Sequence, residues 1–248
     1  MCLEALQSMA EVGLITMMED GTVGGTSLGK LMTRFYLAFS TMKQLTSING
    51  IESMVEMLGL ICKSRELSEA VLRMNERKTL NSLNRNKEKN TIRFPLDGKI
   101  KTKEMKVNVL IQASLGCMNI PDVGLNMETP RFVKLANRIA TCLVELVMND
   151  EDKSKNLSLV KNSVCLLKSL NCGIWDDSKF VVKQMDKVGT VLSTALVKAG
   201  FTNFSKLSLA NPRIIELAAK KAPPFGNIVR DFAMRMPQYR IEVNQGDT

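Results

Sequence analysis

The stretch TPRFVKLANRIATCLVELVM, residues 129–148, decides the class of this fold. Placed at about 100° per residue, its apolar side chains cover one broad arc, which is the pattern of a helix with one face in a core. Pro130 suits the first turn of a helix that begins at Thr129. The arc contains Phe132, Leu135, Ala136, Ile139, Ala140, Leu143 and Val147, and the opposite stripe contains Arg131, Lys134, Arg138 and Thr141. The stretch predicts an amphipathic helix over Thr129–Met148.

The composition favours the same fold class for the whole chain. Apolar residues make up 45% of the 248 residues, and aromatic residues only 5%. Because β-proteins depend on aromatic and β-branched side chains, we predict a mainly α fold. No window of about 18 apolar residues is present, so no membrane partner is expected. Further helices are predicted at residues 3–12, 27–45, 52–65, 67–84, 103–115 and 157–170 and from about 180 onward.

The order of the segments suggests four regions. The stretches Leu14–Met18 and Thr22-Val23 flank the turn Glu19-Asp20-Gly21 and predict a short hairpin. The alternation of Tyr239, Ile241 and Val243 predicts a strand. We expect a winged-helix remnant at 1–26, a helical bundle at 27–178, a helix-hairpin-helix domain at 179–237 and the start of a truncated β-sandwich at 238–248.

The net charge of +9 is concentrated in two blocks. Residues 179–240 hold 11 Lys and Arg against 3 Asp and Glu, and residues 63–106 hold 13 against 6. Two basic blocks on a near-neutral remainder are typical of a protein that binds a polyanion such as nucleic acid. Each block alone is equally compatible with an ordinary solvated surface.

Residue types argue against metal binding and catalysis. The chain has no histidine, and its six cysteines form no C-x-x-C pair. Because zinc sites use closely spaced Cys and His, no metal site is expected. Most of the cysteines have apolar neighbours and are interpreted as reduced core residues of an intracellular protein. Without histidine, the chain has no Ser-His or Cys-His pair. We predict no catalytic residue.

The stretch GGTSLGK, residues 24–30, fits the first seven positions of a P-loop. Leu31 follows, however, where magnesium requires a Ser or Thr hydroxyl. We therefore interpret the stretch as a flexible exit from the hairpin into a helix capped by Ser27. No cofactor is expected in this chain.

The C-terminal basic block contains the pattern of a helix-hairpin-helix turn at 188–196, VGTVLSTAL, and a second hairpin at 223–228, PPFGNI. A tight glycine turn exposes backbone N–H groups at a helix N-terminus, where a DNA phosphate can accept them without any base contact. The same turn can instead be purely structural or contact protein. The DNA-binding residues predicted here are Lys187, Gly189, Thr190, Lys198, Lys220, Lys221, Gly226, Asn227 and Arg230.

The stripe of Arg131, Lys134, Arg138 and Thr141 allows two interpretations. Charged residues at this spacing are most often the solvated face of a helix. If the apolar arc packs into a bundle, the same stripe could line a channel for a single strand of nucleic acid.

Several stretches together resemble a known family. They are LGKLM at 28–32 with FY at 35–36, IRFPL at 92–96, KVNVLIQA at 106–113 and ANRI at 136–139. With the hairpin domain, they are similar to the Sec-sixty-three homology region of Ski-two-like superfamily-two helicases, most of all the meiotic crossover helicases of the Mer-three type. The resemblance covers nearly the whole chain, and residues 106–113 are its most specific part.

The resemblance implies a function as well as a fold. In that family a long "ratchet" helix touches the translocating strand, and it corresponds to Thr129–Met148. A nuclear role in meiotic recombination is implied, with single-stranded or branched DNA, motor domains of the same protein and recombination proteins as partners. ATP and magnesium would belong to motor domains that this chain lacks, so the chain is expected to be a fragment or short isoform and inactive as an ATPase. A protein-interaction scaffold that recruits or regulates a motor is the alternative.

Overall fold

The computed structural model describes residues 2–19, 21–85, 92–186, 188–237, 239 and 242. In these residues the chain is mainly helical, which confirms the predicted fold class. It divides into two compact units, Met1–Asp176 and Asp177–Thr248, and each has its own hydrophobic core. None of the helices in the described ranges is both long and apolar enough to cross a membrane. Lys187 lies outside the described residues, and so does the predicted C-terminal strand, apart from Tyr239 and Glu242.

The first unit is a helical bundle with one hairpin. The strands β1 and β2 pair in antiparallel register, with Thr16 opposite Gly24, so the predicted hairpin is present. The elements are α1 Cys2–Glu11, β1 Ile15–Met17, β2 Val23–Gly25, α2 Ser27–Arg34, α3 Phe39–Thr46, α4 Met54–Cys62, α5 Glu76–Arg85, α6 Lys103–Leu115, α7 Val123–Asn149, α8 Glu151–Ser154 and α9 Leu157–Cys172, with a 3-10 turn at Arg65–Leu67.

The centre of this unit is α6, which has the predicted bounds. Thr102 caps its first turn by accepting from the Met105 N–H, and every residue from Lys106 to Ala113 is buried. A helix that is buried all round must be covered on every side. The helices α4, α5 and α7 pack on it, and α7 packs in turn on α9.

A buried ion-pair network ties α6 to α7. The Lys106 side chain is fully buried, and its Nζ lies 2.9 Å from Glu76 Oε2 on α5 and 2.7 Å from Glu128 Oε2 on α7. The same Nζ donates to the carbonyl oxygen of Val71 at 2.8 Å. Because a buried ammonium is stable only when paired and hydrogen-bonded, this network fixes how α7 sits on α6.

Two amide side chains hold the extended segment before α6. Gln112 accepts from the Phe94 N–H at 2.8 Å and donates to the Phe94 carbonyl at 2.9 Å. Asn84 makes the same pair of bonds with Leu96, at 2.8 and 2.7 Å. Each amide therefore satisfies the backbone N–H and carbonyl groups that a neighbouring strand would otherwise bind. Through Gln112, the 92–96 and 106–113 stretches lie in direct contact.

The predicted helix over 27–45 is wrong, because the chain breaks it into α2 and α3. Thr26, not Ser27, caps α2 by accepting from the Gly29 N–H. Tyr36 then adopts a left-handed φ of 50°. The Glu66 carboxylate accepts from the Ala38 N–H at 2.7 Å and from the Thr41 hydroxyl at 2.5 Å. The new helix start is thus stabilised by a residue distant in sequence.

Two other predicted helix starts are also wrong. The helix predicted over 67–84 begins only at Glu76, after the 3-10 turn. The helix predicted to begin at Thr129 begins at Val123, so Pro130 lies inside α7 rather than in its first turn. Asp122 caps it by accepting from the Leu125 N–H at 2.9 Å, and Leu125 is fully buried. Capping and burial of this first turn outweigh the helix-breaking tendency of Pro130.

The second unit consists of short helices around a small core. It contains a 3-10 turn at Val181–Gln184, α10 Thr190–Lys198, α11 Phe204–Ser208, α12 Pro212–Ala219 and α13 Phe225–Arg235. Leu196, Ile215 and Val229 are fully buried at its centre. Asn203 and Asn211 cap α11 and α12 with their side-chain oxygens. The packed pairs are α10 with α12 and α13 with both α11 and α12.

Candidate nucleic-acid interface

One face of α7 carries the predicted basic stripe. Arg131 and Lys134 are exposed, whereas Arg138 and Thr141 are half-buried. Asn137 is also half-buried, and it neighbours Lys134 and Thr141 because residues three and four apart adjoin on a helix. We call Arg131, Lys134, Asn137, Arg138 and Thr141 the α7 surface.

Ion pairs compensate the charge at both ends of the α7 surface. Arg131 pairs with Glu69, and both side chains are exposed. At the other end, one turn beyond Thr141, Glu145 of α7 pairs with Arg34 of α2. No carboxylate in the described part of the chain pairs with Lys134 or Arg138, so positive charge at the centre of the surface is left uncompensated there.

The centre of the α7 surface also has polar groups without a partner. Lys134 forms no ion pair within the described residues. The Asn137 Oδ1 and Arg138 Nε atoms are buried, and neither hydrogen-bonds to any described group. A buried polar atom left unpaired costs about 1–3 kcal/mol. Such atoms mark a place where a ligand or an ordered water would be stabilising.

The sequence pattern placed the stripe correctly on one face but missed two features of it. Cys142, four residues after Arg138, is fully buried, so the face closes against the core and Arg138 is only half-exposed. The Thr141 hydroxyl donates to the Asn137 carbonyl at 2.8 Å, within its own helix. Asn137 has no charge, so a search for basic residues could not select it. Its helical spacing from Lys134 and Thr141 was the available signal.

Two buried thiols of this unit, Cys62 and Cys142, are held in the protonated form. Burial raises the pKa of the Cys142 thiol to about 12, although Arg34 lowers it and Glu66 raises it further. Burial likewise raises the pKa of the Cys62 thiol to about 12, against a lowering hydrogen bond from Asn108. Because only the thiolate is a strong nucleophile, neither group is a nucleophile at neutral pH.

In the second unit, the first predicted hairpin brings Gly189 and Thr190 together, but not the third predicted DNA-binding residue, Lys198. Gly189 is the N-cap of α10, without a side-chain capping bond, and Thr190 is the first residue of the helix. Lys198 is the last residue of α10, about 12 Å away at 1.5 Å per residue. Lys198 is exposed but is not beside the Gly189 turn.

The second predicted hairpin is the turn from α12 into α13, residues 220–230. Lys220, Lys221 and Asn227 are exposed, and Arg230 is half-buried one turn into α13. The Asn227 N–H, in the first turn of α13, has no acceptor in the described part of the chain. This turn thus combines basic side chains with an open N–H at a helix start.

Gly226 has a packing role within this turn. It is buried, and its N–H donates to Glu216 Oε1 at 3.1 Å. A Cβ at this position would lie 2.6 Å from the Pro212 carbonyl carbon and closer still to its oxygen. The Gly226 N–H is therefore already bonded within the unit, and the glycine allows α13 to approach α12.

Comparisons with known proteins place the whole chain in one family. Residues 25–245 match the Sec63 Brl domain. The chain is 40% identical over 245 residues to the "Probable ATP-dependent DNA helicase HFM1" of Xenopus tropicalis, covering 99% of this chain. It is 32% identical over 257 residues to the "ATP-dependent DNA helicase homolog MER3" of Arabidopsis thaliana, covering 100%. It is 27% identical over 229 residues to the "ATP-dependent DNA helicase MER3" of Saccharomyces cerevisiae, covering 87% of this chain.

The matched region is a minor part of each relative. The chain spans 18% of the Xenopus protein, 22% of the Arabidopsis protein and 19% of the yeast protein. The resemblance inferred from residues 28–36, 92–96, 106–113 and 136–139 is confirmed. The chain belongs to the Sec63 Brl domain family and is homologous to a region of the HFM1 and MER3 helicases.

Proposed function

We propose that this chain is a DNA-binding accessory region of an ATP-dependent DNA helicase, and that the α7 surface grips a single strand of DNA. The observation that carries the proposal is the centre of that surface, where Lys134 forms no ion pair and Arg138 Nε meets no acceptor within the described residues. Phosphate oxygens are charged acceptors and would pair with the Lys134 ammonium and with the half-buried guanidinium of Arg138. Family membership supports DNA rather than another polyanion.

The second unit is proposed to contribute a phosphate contact that is independent of sequence. In the 220–230 turn, the N–H of Asn227 would bond a phosphate oxygen, with Lys220, Lys221 and Arg230 adding attraction. Gly189 and Thr190 at the start of α10 would contribute a similar contact, and Gly226 would act as the scaffold. Such contacts hold duplex or branched DNA in position without reading bases.

The cellular role is proposed from the relatives. We infer a nuclear protein that acts in meiotic recombination, with motor domains of the same protein as partners in cis and recombination proteins as further partners. The motor domains would bind ATP and magnesium and drive unwinding of branched DNA. This region would hold the strand behind them.

A protein-interaction scaffold is the second candidate, and the second unit favours it. Leu217 and Ile214 are 78% and 54% exposed on α12, and Leu209, at the C-terminal end of α11, is 88% exposed. Exposed apolar side chains that lie close together are typical of protein contacts. The scaffold hypothesis predicts specific protein capture with negligible DNA affinity.

The experiment that tests the DNA-binding proposal is a titration of labelled single-stranded DNA with the 248-residue chain at two salt concentrations. Affinity should fall steeply between about 50 and 200 mM salt, because binding releases counterions from the phosphates. Arg138→Glu and Lys134→Glu should each lower affinity about tenfold. Lys78→Glu on α5 makes the same charge change away from α7 and should have a small effect. Absence of binding even at low salt would reject the proposal.

Glu69→Gln is expected to increase affinity for single-stranded DNA about twofold to fourfold. In the free chain the Glu69 carboxylate is ion-paired with Arg131, so a phosphate must displace it in order to bind Arg131. An exposed ion pair of this kind contributes about 0.2–1 kcal/mol, which sets the size of the expected gain. The same titration measures this effect. In an Arg131→Gln background, Glu69→Gln should have no effect beyond the loss of a distant negative charge. An equal gain in both backgrounds would show that the ion pair is not a competitor.

A further inference from the structure

The Asn137 amide is the unexplained group of the α7 surface. Its Oδ1 atom is buried and has no hydrogen-bond donor among the described residues, although the residue as a whole is only half-buried. A half-turn about its Cβ–Cγ bond exchanges Oδ1 with Nδ2, and it would bring the oxygen to the exposed side of α7. An unpaired amide oxygen is stabilised by any ligand that supplies an N–H or O–H.

The neighbours of Asn137 indicate what that ligand is. Residues 134, 137, 138 and 141 form one patch, because each pair is three or four residues apart on the same helix. Lys134 and Arg138 can only donate, so they would take phosphate oxygens. Asn137 would then meet another part of the same nucleotide.

The chemistry of DNA restricts which part this is. The phosphates and deoxyribose rings within a DNA strand offer only acceptors, whereas the bases carry N–H donors. An acceptor such as Asn137 Oδ1 can thus hydrogen-bond only to a base. The exocyclic amino groups of cytosine and adenine are the most accessible such donors at the base edge.

We propose that Asn137 reads the bound strand by accepting a hydrogen bond from the exocyclic amino group of a cytosine or adenine base. This inference rests on the proposed binding of single-stranded DNA by the α7 surface. Lys134 and Arg138 set the affinity, and Asn137 makes the site sensitive to the base. A surface that contacted only phosphates would bind strands of any base composition with equal affinity.

The test removes the donor from the base and the acceptor from the protein. The probes are a cytosine dodecamer and the same oligomer in which 2-pyrimidinone replaces cytosine, which keeps the ring but lacks the amino group. The wild-type chain should bind the cytosine oligomer about fivefold more tightly, the range given by one net hydrogen bond. Asn137→Leu should bind both oligomers equally.

Two further variants make the outcome decisive. Asn137→Asp keeps the acceptor and adds a negative charge, so it should bind less tightly overall but still distinguish the two oligomers. Lys134→Gln should lose affinity for both oligomers and keep the ratio between them. A ratio of one in the wild-type chain, or an unchanged ratio in a folded Asn137→Leu chain, would overturn the inference while leaving the proposed function intact. Failure of the wild-type chain to bind either oligomer would overturn both.

Discussion

Replacing Lys106 by methionine is expected to lower the free energy of unfolding of the first unit by about 3–5 kcal/mol. The Lys106 Nζ is fully buried between Glu76 and Glu128, at 2.9 and 2.7 Å. Methionine fills a similar volume, but it leaves both carboxylates without that cation, and the Glu76 side chain is only 2% exposed. Arg73 cannot substitute, since it lies 3.8 Å from Glu76 and 4.0 Å from Glu128 and is mostly exposed.

Urea unfolding followed by tryptophan fluorescence measures this effect. The single tryptophan of the chain, Trp175, is buried in the core of the first unit and so reports on that unit. Lys103→Met is the matched control, because Lys103 begins the same helix and makes one bond, to the Ser68 carbonyl at 2.8 Å. It should cost about 1 kcal/mol. Equal unfolding midpoints for Lys106→Met and Lys103→Met would refute a central role for the network.

Gly226→Ala is expected to destabilise the second unit by about 3 kcal/mol or more. The added Cβ would overlap the Pro212 carbonyl group, whose carbon is 2.6 Å from that position. Backbone cannot yield as a flexible side chain can, so α13 must move away from α12. That movement would also break the bond from the Gly226 N–H to Glu216.

Amide hydrogen exchange across α10–α13 measures the loss, because protection in this unit reflects its own unfolding equilibrium. Gly189→Ala in the same unit is the control, since a Cβ at Gly189 meets nothing within 4 Å. Protection should fall in Gly226→Ala and remain near that of the wild type in Gly189→Ala. Wild-type protection in Gly226→Ala would contradict the packing role.

The fold was predictable where local signals agreed with packing. Gly116 set the predicted end of α6, and Thr102 caps its first turn in the structure. The turn at residues 19–21 gave the hairpin. The break between α2 and α3 was not predictable from local sequence. The start of α3 is stabilised by Glu66, which accepts a hydrogen bond from the Ala38 N–H and lies 28 residues away in sequence. In the same way, periodicity could not reveal that Lys106, a charged residue, lies at the centre of the core.

The candidate site was predictable as a face but not as a set of contacts. Helical spacing placed Arg131, Lys134, Arg138 and Thr141 together on α7. Only tertiary structure distinguishes Arg131, which Glu69 neutralises, from Lys134, which has no ion pair in the described chain. In the second unit, the glycine pattern located the 220–230 turn, but the bond to Glu216 that occupies the Gly226 N–H could not be inferred from it.

The most direct test of strand binding by the α7 surface is the salt dependence of affinity for a thymine dodecamer. Each phosphate contact on single-stranded DNA contributes about −0.7 to the slope of log affinity against log salt concentration. Lys134→Gln should therefore make the slope less steep by about 0.7, while Lys78→Gln, on the exposed face of α5, should leave it unchanged. If Lys134→Gln leaves the slope unchanged as well, no strand phosphate contacts the α7 surface at Lys134.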